Sequence, residues 1–482
     1  MAHSYPKSLE LLIDGNWHPI ENRRSCEVVN PATEEVLGHL PMATLDDLNL
    51  ALESAKRGFG VWSSYSAWKR SEILLKAAEI IKDRRTYIAH ILTLENGKPL
   101  ADSLGELDRS IETFVWCAEE GKRTYGRVMP VRTVGTTEMS VKRPVGPVAA
   151  FAPWNFPVVL VVRKIAAALA AGCSVVVKPA EETPAACIEI ARACVDAGVP
   201  AGAINMVFGD PAMVSEHLIA SPIIQKVSFT GSIPVGKLLS QQAAALLKPV
   251  TMELGGHSPV VVFDDINIQA VVKMCVNFKF RNAGQVCLSP NRFYVHERVY
   301  DKFIEQFIAA TRSINVGNGL SPNVQMGPLN NPRRLSAAEK FVEDAVSKQA
   351  KVGTGGKRLG SAGYFFEPTV LTGLSPDALI LAEEPFCPVV PIMPFASFDE
   401  VVDKANHVQF GLAAYAFTDS LTTSEKISEA FEAGWIGINS FTPSLADVAI
   451  GGMKQSGIGY EGGPEGLDAY LHSKFISKAI SL

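Results

Sequence analysis

Ser174-Val175-Val176-Val177-Lys178-Pro179-Ala180-Glu181-Glu182-Thr183-Pro184-Ala185 opens a strand–loop–helix unit. Residues 174–177 are a short apolar run closed by turn residues, which reads as a buried strand. Residues 185–195 contain no Gly or Pro, and their charges, Glu189 and Arg192, stand three apart, so they read as one helix. The same alternation spans residues 45–259. Leu74, Ala77, Ala78 and Ile81 recur at helical spacing, and residues 226–229 form a second buried strand. Repeated alternation of this kind argues a doubly wound α/β domain. The pattern resumes after Pro259, with a strand at 260–263 and a helix at 268–280. Residues 353–363 are a Gly-rich turn region. Residues 389–393 read as a strand that Pro391 confines to an edge or a bulge. Two α/β lobes meeting near residues 253–259 are expected.

Two segments break the alternation. In 124–145, Arg127, Met129 and Val131 stand before Gly135, with Thr137, Met139 and Val141 after it. That is a hairpin pattern, weakened by Pro130. The tail, 467–482, ends in Ile476, Ile480 and Leu482. The two segments read either as an extension that pairs with another subunit, or as a surface hairpin and a docked C-terminus. There is no internal repeat and no low-complexity tract.

A chain of 482 residues, 47% apolar and 20% charged, is long enough for more than one core and excludes wholesale disorder. Its net charge of −5 and scattered Lys and Arg point away from nucleic acid. Glu10 and Asp14 interrupt Leu9, Leu11, Leu12 and Ile13, so no secretory leader is expected. The longest apolar stretch, 145–177, is broken by Pro147, Pro153, Pro157 and Arg163-Lys164. It lacks the run of roughly 18 apolar residues that a membrane span needs. The eight cysteines show no C-x-x-C spacing and no grouping with His. No metal site or disulfide framework is expected, and a reducing cytoplasm suits the chain.

Five segments carry candidate chemistry. Cys287 follows Phe280-Arg281-Asn282-Ala283-Gly284-Gln285-Val286, a polar, Gly-containing loop that leaves a helix. A thiolate there is a candidate nucleophile if its pKa is lowered or a base is near; taken singly, an ordinary buried cysteine is the simpler reading. Glu253, before Leu254-Gly255-Gly256-His257, is a candidate general base or a solvated turn residue. Asn155, in Phe151-Ala152-Pro153-Trp154-Asn155-Phe156-Pro157, precedes a helix that Pro157 should start. Its amide suits an oxyanion, or it is an N-cap. Phe229-Thr230-Gly231-Ser232-Ile233-Pro234-Val235-Gly236 runs from strand through turn to helix, as a phosphate cradle requires, or is a plain tight turn. Lys178, with Glu181 and Glu182 following, ends a strand where ribose hydroxyls could be held, or is a charged loop end.

In this order the segments resemble the aldehyde dehydrogenase superfamily over essentially the whole chain. The resemblance rests on Pro-Trp-Asn-Phe-Pro at 153–157, Phe-Thr-Gly-Ser at 229–232, Glu-Leu-Gly-Gly at 253–256 and Gly-Gln-Val-Cys at 284–287. Glu-Glu-Pro-Phe at 383–386 and Gly-Gly-Met-Lys-Gln-Ser-Gly at 451–457 complete it. It implies two doubly wound α/β domains, Rossmann-like cofactor and catalytic, plus a small β extension for oligomerisation. The cofactor domain would be 1–123 with 146–254, the catalytic domain 255–440, and the extension 124–145 with 467–482. A homodimer or homotetramer is implied.

The resemblance also implies roles. Cys287 attacks the aldehyde carbon, giving a thiohemiacetal. Asn155 and the Cys287 N–H hold the oxyanion. After hydride transfer to the nicotinamide, Glu253 activates the water that hydrolyses the thioester. Lys178 and Glu181 resemble ligands of the adenine ribose; Gly209, Phe229, Gly231, Ser232 and Gly236 resemble the adenine and pyrophosphate neighbourhood. Trp154, Glu384 and Phe386 complete the cofactor contacts. A carboxylate at Glu181 accepts from a 2′-hydroxyl and repels a 2′-phosphate, so NAD is expected over NADP. The chain departs from common family residues at His257, Cys387 and Ala449-Ile450, none of which is a catalytic group.

For the substrate, Arg163 is informative by itself. It interrupts the apolar run 158–165, and a guanidinium there wants an anion, whether a substrate or a structural carboxylate. Eight residues after Asn155, at about 100° each, it lies roughly 80° beyond two full turns. The chain is most similar to succinate-semialdehyde and 2-oxoglutarate-semialdehyde dehydrogenases. In the former, two arginines and a serine hold the substrate carboxylate, at places matching Arg163, Arg281 and Ser444. Ser289 stands where some members carry a second cysteine. An acidic semialdehyde is therefore expected, succinate semialdehyde first, with 2-oxoglutarate or glutarate semialdehyde, or a broad or aromatic aldehyde, as the alternatives. Retention of Glu253 argues against a CoA-acylating enzyme, and retention of Cys287 and Asn155 as well argues against a non-catalytic one.

Overall fold

The computed structural model describes residues 4–6, 8–21, 23–441 and 445–479. Its first sheet is built on five parallel strands: β1 (Val148–Phe151), β2 (Val175–Lys178), β3 (Ile204–Met206), β4 (Lys226–Thr230) and β5 (Val250–Glu253). They lie in the order β3-β2-β1-β4-β5. All residues of β1 to β4 are buried, as expected of a parallel sheet covered by helices on both faces. The order reverses between β1 and β4, and in open α/β sheets ligands sit at the strand C-termini beside such a switch point. Pro153-Trp154-Asn155 follows β1, and Gly231 follows β4. Antiparallel strands complete the edges: Leu11–Ile13 with Asn16–His18 beside β3, and Gly457–Ile458 along β5.

Three helices position the site: α1 (Leu100–Glu120), α2 (Pro157–Ala171) and α3 (Pro184–Ala197). Proline opens α2 and α3, where its missing N–H costs nothing, and the left-handed Gly172 and Gly198 close them. Neither has a local side-chain cap. Their first amides are satisfied from a distance. Glu106 of α1 accepts from the N–H groups of Val158 and Val159, at 2.9 and 3.1 Å. Glu95 accepts from those of Ala185 and Ala186, at 2.9 and 3.0 Å.

The chain passes to a second sheet between Glu253 and Ser258. Its strands are β6 (Ser258–Val262), β7 (Pro290–His296), β8 (Lys351–Thr354), β9 (Thr369–Thr372), β10 (Val389–Phe395), β11 (Ala413–Phe417) and β12 (Trp435–Ile438). They lie in the order β8-β9-β10-β7-β6-β11-β12. This corrects the expectation for residues 389–393: β10 is interior. Pairing of β10 with β7 begins at Ile392, after Pro391, and pairing with β9 ends there, before Pro394. Each proline therefore stands where one neighbour is already missing, so the ladder loses little.

A third sheet joins the two irregular segments. Arg127–Met129 and Thr136–Pro144 form the hairpin, and Leu471–Ala479 pairs along Thr136–Pro144 from Leu471↔Pro144 to Ala479↔Thr136. Ile480 and Leu482 lie outside the described residues. Among the described residues, no helix is long and apolar enough to cross a membrane.

Candidate functional site

The loop before Cys287 is held in an uncommon conformation. Asn282, Ala283 and Gly284 follow one another with φ of +48°, +52° and +73°. Non-glycine residues pay about 1–3 kcal/mol each for such backbone, so it persists only where neighbours enforce it. Here they do. Asn282 Nδ2 donates to the Asn155 carbonyl at 2.9 Å. Gln285 Nε2 donates to the Asn282 carbonyl at 3.0 Å, and its Oε1 accepts from the Asn330 N–H at 3.0 Å. A Cβ on Gly284 would lie 2.3 Å from the Cys387 carbonyl oxygen, so only glycine fits. The turn leaves Cys287 half-buried at the wall of a cleft.

Asn155 faces this loop and is not a helix cap; Phe156 holds the N-cap position of α2. The Asn155 Nδ2 donates to the Gln285 carbonyl at 3.1 Å. An amide carries two N–H groups, so one more can serve an oxyanion. The Asn155 carbonyl accepts from Lys98 Nζ at 2.7 Å.

Glu253 ends β5 in a buried position, not on a solvated turn. Among the described residues its Oε1 has no hydrogen-bond partner. Burial, and then the neighbouring Glu461, push its carboxyl up to about 8, against the pull of Arg163 and Lys164. Lys164 Nζ is itself held 2.5 Å from Glu461 and 3.1 Å from Ser228 Oγ. Burial, Glu253 and Glu384 together push the Cys287 thiol up to about 12. Thiol and carboxyl therefore both rest protonated at neutral pH.

The remaining predicted residues fall into two groups. Lys178, Glu181 and Gly209 meet at the ends of β2 and β3. Lys178 Nζ lies 2.6 Å from Glu181, whose Oε1 accepts from the Gly209 N–H at 3.1 Å. In the second group Trp154, Gly231, Ser232, Glu384 and Phe386 line the cleft, which encloses about 390 Å³, and Phe229 and Gly236 pack against its lining. Gly231 donates its N–H to the Glu253 carbonyl at 3.0 Å, and a Cβ there would meet the Phe229 ring at 2.3 Å. A Cβ on Gly236 would meet Leu254 at 2.4 Å. Ser232 caps α4 (Ile233–Ala244) without a side-chain bond, which leaves first-turn amides free for an anion. Thr230 Oγ1 is buried with no partner among the described residues. Opposite, Glu384 accepts from the Gly256 N–H at 3.1 Å, and burial pushes it up to about 7. Phe386 stands edge-on to Trp154, ring centres 5.7 Å apart. The glycine-lined wall, the orphan hydroxyl and the open helix end suit a dinucleotide.

Arg163 is the sole residue of α2 that is not fully buried. Its charge acts on both Cys287 and Glu253. Arg281 lies 3.5 Å from Asp102, with its guanidinium 5.3 Å from the centre of the Phe156 ring. Ser444 lies outside the described residues.

Sequence reasoning missed the supports: Lys98, Glu106, Gln285 and Arg334. Arg334 donates to the carbonyls of Pro385 and Phe386, at 2.6 and 3.2 Å, and so fixes the Phe386 wall. Nothing in a single sequence separates Lys98, Glu106 and Arg334 from surface charge, and Gln285 stands in the Gly-Gln-Val-Cys motif with no role of its own. Among the described residues, no three His, Cys, Asp or Glu side chains group to hold a metal.

Comparison with known proteins agrees with this arrangement. Residues 17–476 match the Aldehyde dehydrogenase family. A putative 4-(hydroxymethyl)benzenesulfonate dehydrogenase of Comamonas testosteroni is 44% identical over 97% of this chain and 97% of its own. The NADP-linked succinate-semialdehyde dehydrogenase of Escherichia coli K12 is 38% identical over 97% of each chain. The crystal structure of succinate-semialdehyde dehydrogenase from Burkholderia pseudomallei superposes with a TM-score of 0.96, at 41% identity over 98% of both chains. With its two α/β sheets and its cysteine-bearing cleft, the chain belongs to the aldehyde dehydrogenase family, whose members oxidise aldehydes with NAD(P).

Proposed function

We propose that this enzyme oxidises an acidic semialdehyde to the carboxylic acid with NAD, succinate semialdehyde foremost. The observation that carries the reading is one cleft holding Cys287, the Asn155 amide and a buried Glu253 whose Oε1 has no partner among the described residues, with Arg163 acting on it from α2. Ionised Glu253 takes the Cys287 proton and releases it to solvent, and the Cys287 sulfur bonds the aldehyde carbon, forming a thiohemiacetal. Asn155 and the Cys287 N–H stabilise the oxygen that becomes negative. Bound nicotinamide supplies the acceptor for the hydride. Glu253 then takes a proton from water, whose oxygen attacks the thioester carbon; the C–S bond breaks and the thiol is restored. A base in this position supports hydrolysis over transfer to CoA.

Three further assignments belong to this proposal. Glu181, tied to Lys178 and Gly209, favours a 2′-hydroxyl and therefore NAD. Arg163, Arg281 and Ser444 hold the acid end of the substrate. Residues 124–145 and 467–482 serve assembly into a homodimer or homotetramer, since their sheet exposes Val128 and Phe475.

A second reading takes an aromatic aldehyde that carries a sulfonate. The 44% identity to a relative named for a hydroxymethyl benzenesulfonate, the alcohol one oxidation step below such an aldehyde, favours it. Steady-state kcat/KM with NAD and with NADP, across acidic, aliphatic and aromatic aldehydes, decides between them. Succinate semialdehyde should exceed butanal by at least tenfold, about 1.4 kcal/mol. Parity between them would sink the acidic reading.

A further inference from the structure

Helix α1 turns a charged stripe toward α2 and the Cys287 loop. Asp102, Glu106, Arg109 and Thr113 follow at spacings of four, three and four, which is one side of a helix. Both acids of the stripe are engaged. Asp102 lies 3.5 Å from Arg281. Glu106 pairs with Lys98 at 2.6 Å and caps α2. Thr113 Oγ1 donates back to the Arg109 carbonyl at 2.8 Å. The Arg109 guanidinium is the group left over: among the described residues it has no hydrogen bond and no ion pair.

Its placement is specific. The side chain runs back along α1, with Nη1 3.8 Å from where a Gly105 Cβ would be. That direction takes it toward the Asp102–Arg281 pair. Burial is the main influence against its charge and Arg281 and Arg163 add repulsion, while Glu106 and Asp102, each already paired elsewhere, support it from a distance. Arginine stays protonated all the same, so the cost stands until an anion arrives. Arg163 in turn acts on Cys287. The half-buried cation therefore belongs to the same cluster as the two arginines assigned to the substrate's acid end, and among the described residues no carboxylate forms an ion pair with it.

We propose that Arg109 is a specificity-determining residue which joins Arg163 and Arg281 in a three-guanidinium site, built for a substrate end with three acceptor oxygens. This rests on the acidic-aldehyde reading above. A lone carboxylate offers two oxygens, which the two arginines already assigned and one hydroxyl satisfy. A third guanidinium is matched by a sulfonate, with three oxygens on one centre, or by a 2-oxocarboxylate, whose ketone oxygen adjoins the acid.

The test is kcat/KM with NAD for four aldehydes: butanal, succinate semialdehyde, 2-oxoglutarate semialdehyde and 3-oxopropane-1-sulfonate. Wild type, Arg109→Gln, Arg109→Lys and Arg163→Leu are compared. In Arg109→Gln, the ratio of one three-oxygen substrate to succinate semialdehyde should fall about tenfold, through KM more than kcat. Which of the two falls identifies the head group. Arg109→Lys should recover part of the loss, and it also serves if the Gln variant folds poorly. Equal loss on all four aldehydes, or no loss, would overturn the inference. If wild type prefers no acid to butanal, the acidic reading falls as well. If Arg163→Leu erases the preference for acids while Arg109→Gln leaves every ratio intact, only the role of Arg109 falls.

Discussion

Lys98 and Glu106 form an ion pair sealed from solvent, Nζ to Oε2 2.6 Å. Through it α1, the start of α2 and the Asn155 backbone become one unit. The lysine also donates to the Asn155 carbonyl, and the carboxylate also caps α2. Burial opposes the Lys98 charge and Glu106 supports it. The pair thus holds the proposed oxyanion donor opposite Cys287.

Glu106→Gln should therefore be severe. It keeps an acceptor for the α2 amides but leaves the Lys98 charge uncompensated. Breaking one side of a buried pair costs about 3–5 kcal/mol. Urea denaturation should show a loss of that order, together with reduced kcat. Stability within about 0.5 kcal/mol of wild type would mean that the pair is dispensable.

Asn155→Ala removes the amide donor while the backbone carbonyl remains for Lys98. We expect kcat to fall about 10²–10³-fold with little change in the melting temperature. Full activity in that variant would remove Asn155 from the mechanism.

The elevated Glu253 carboxyl predicts a pH limb. The base must be ionised, and burial keeps it protonated until about pH 8, so the hydrolytic rate should climb as pH rises toward and past 8. Stability runs the other way. Between the ordinary value of 4.5 and about 8 the folded state holds a proton that the unfolded chain has released, so rising pH destabilises the fold. Glu253→Gln should lose the rate limb and gain stability over wild type above pH 8. Denaturation curves for both proteins at pH 5 and pH 9 provide the comparison, and an unchanged difference would contradict the assignment.

Glu181→Gln should lower the NAD-to-NADP ratio of kcat/KM at least tenfold, about 1.4 kcal/mol. The charge that repels a 2′-phosphate is gone, and Lys178 loses its 2.6 Å partner and can meet the phosphate. A ratio that stays constant would place cofactor choice elsewhere.

Arg163→Leu should lower the ratio of succinate semialdehyde to butanal turnover about tenfold or more, mainly through KM. Proportional losses on both aldehydes would make Arg163 a structural residue.

Much of the site could be read from the chain because its chemistry is local. Pro157 starts α2, Gly231 must lack a side chain beside Phe229, and the 174–195 unit forms a strand and a helix as its pattern predicts. Where the reading failed, the missing information was non-local. Pro391 argued for an edge strand or a bulge, yet β10 is interior, because the neighbour from 290–296 is absent beside Pro391 and the one from 369–372 beside Pro394. Asn155 has the sequence of a helix cap, yet Glu106, 49 residues earlier, takes that task and frees the amide.

The sequence by itself determined the elements, their parallel α/β class and the family. Periodicity, caps and glycine positions depend on residues a few places apart, and the motif order is written in the chain. Only the tertiary structure decided which charges are matched. It pairs Lys98 with Glu106 and Arg281 with Asp102, and leaves the Glu253 Oε1 and the Arg109 guanidinium without partners among the described residues. Burial and long-range contact set the cost of a charge, and neither is a property of a residue's neighbours in sequence.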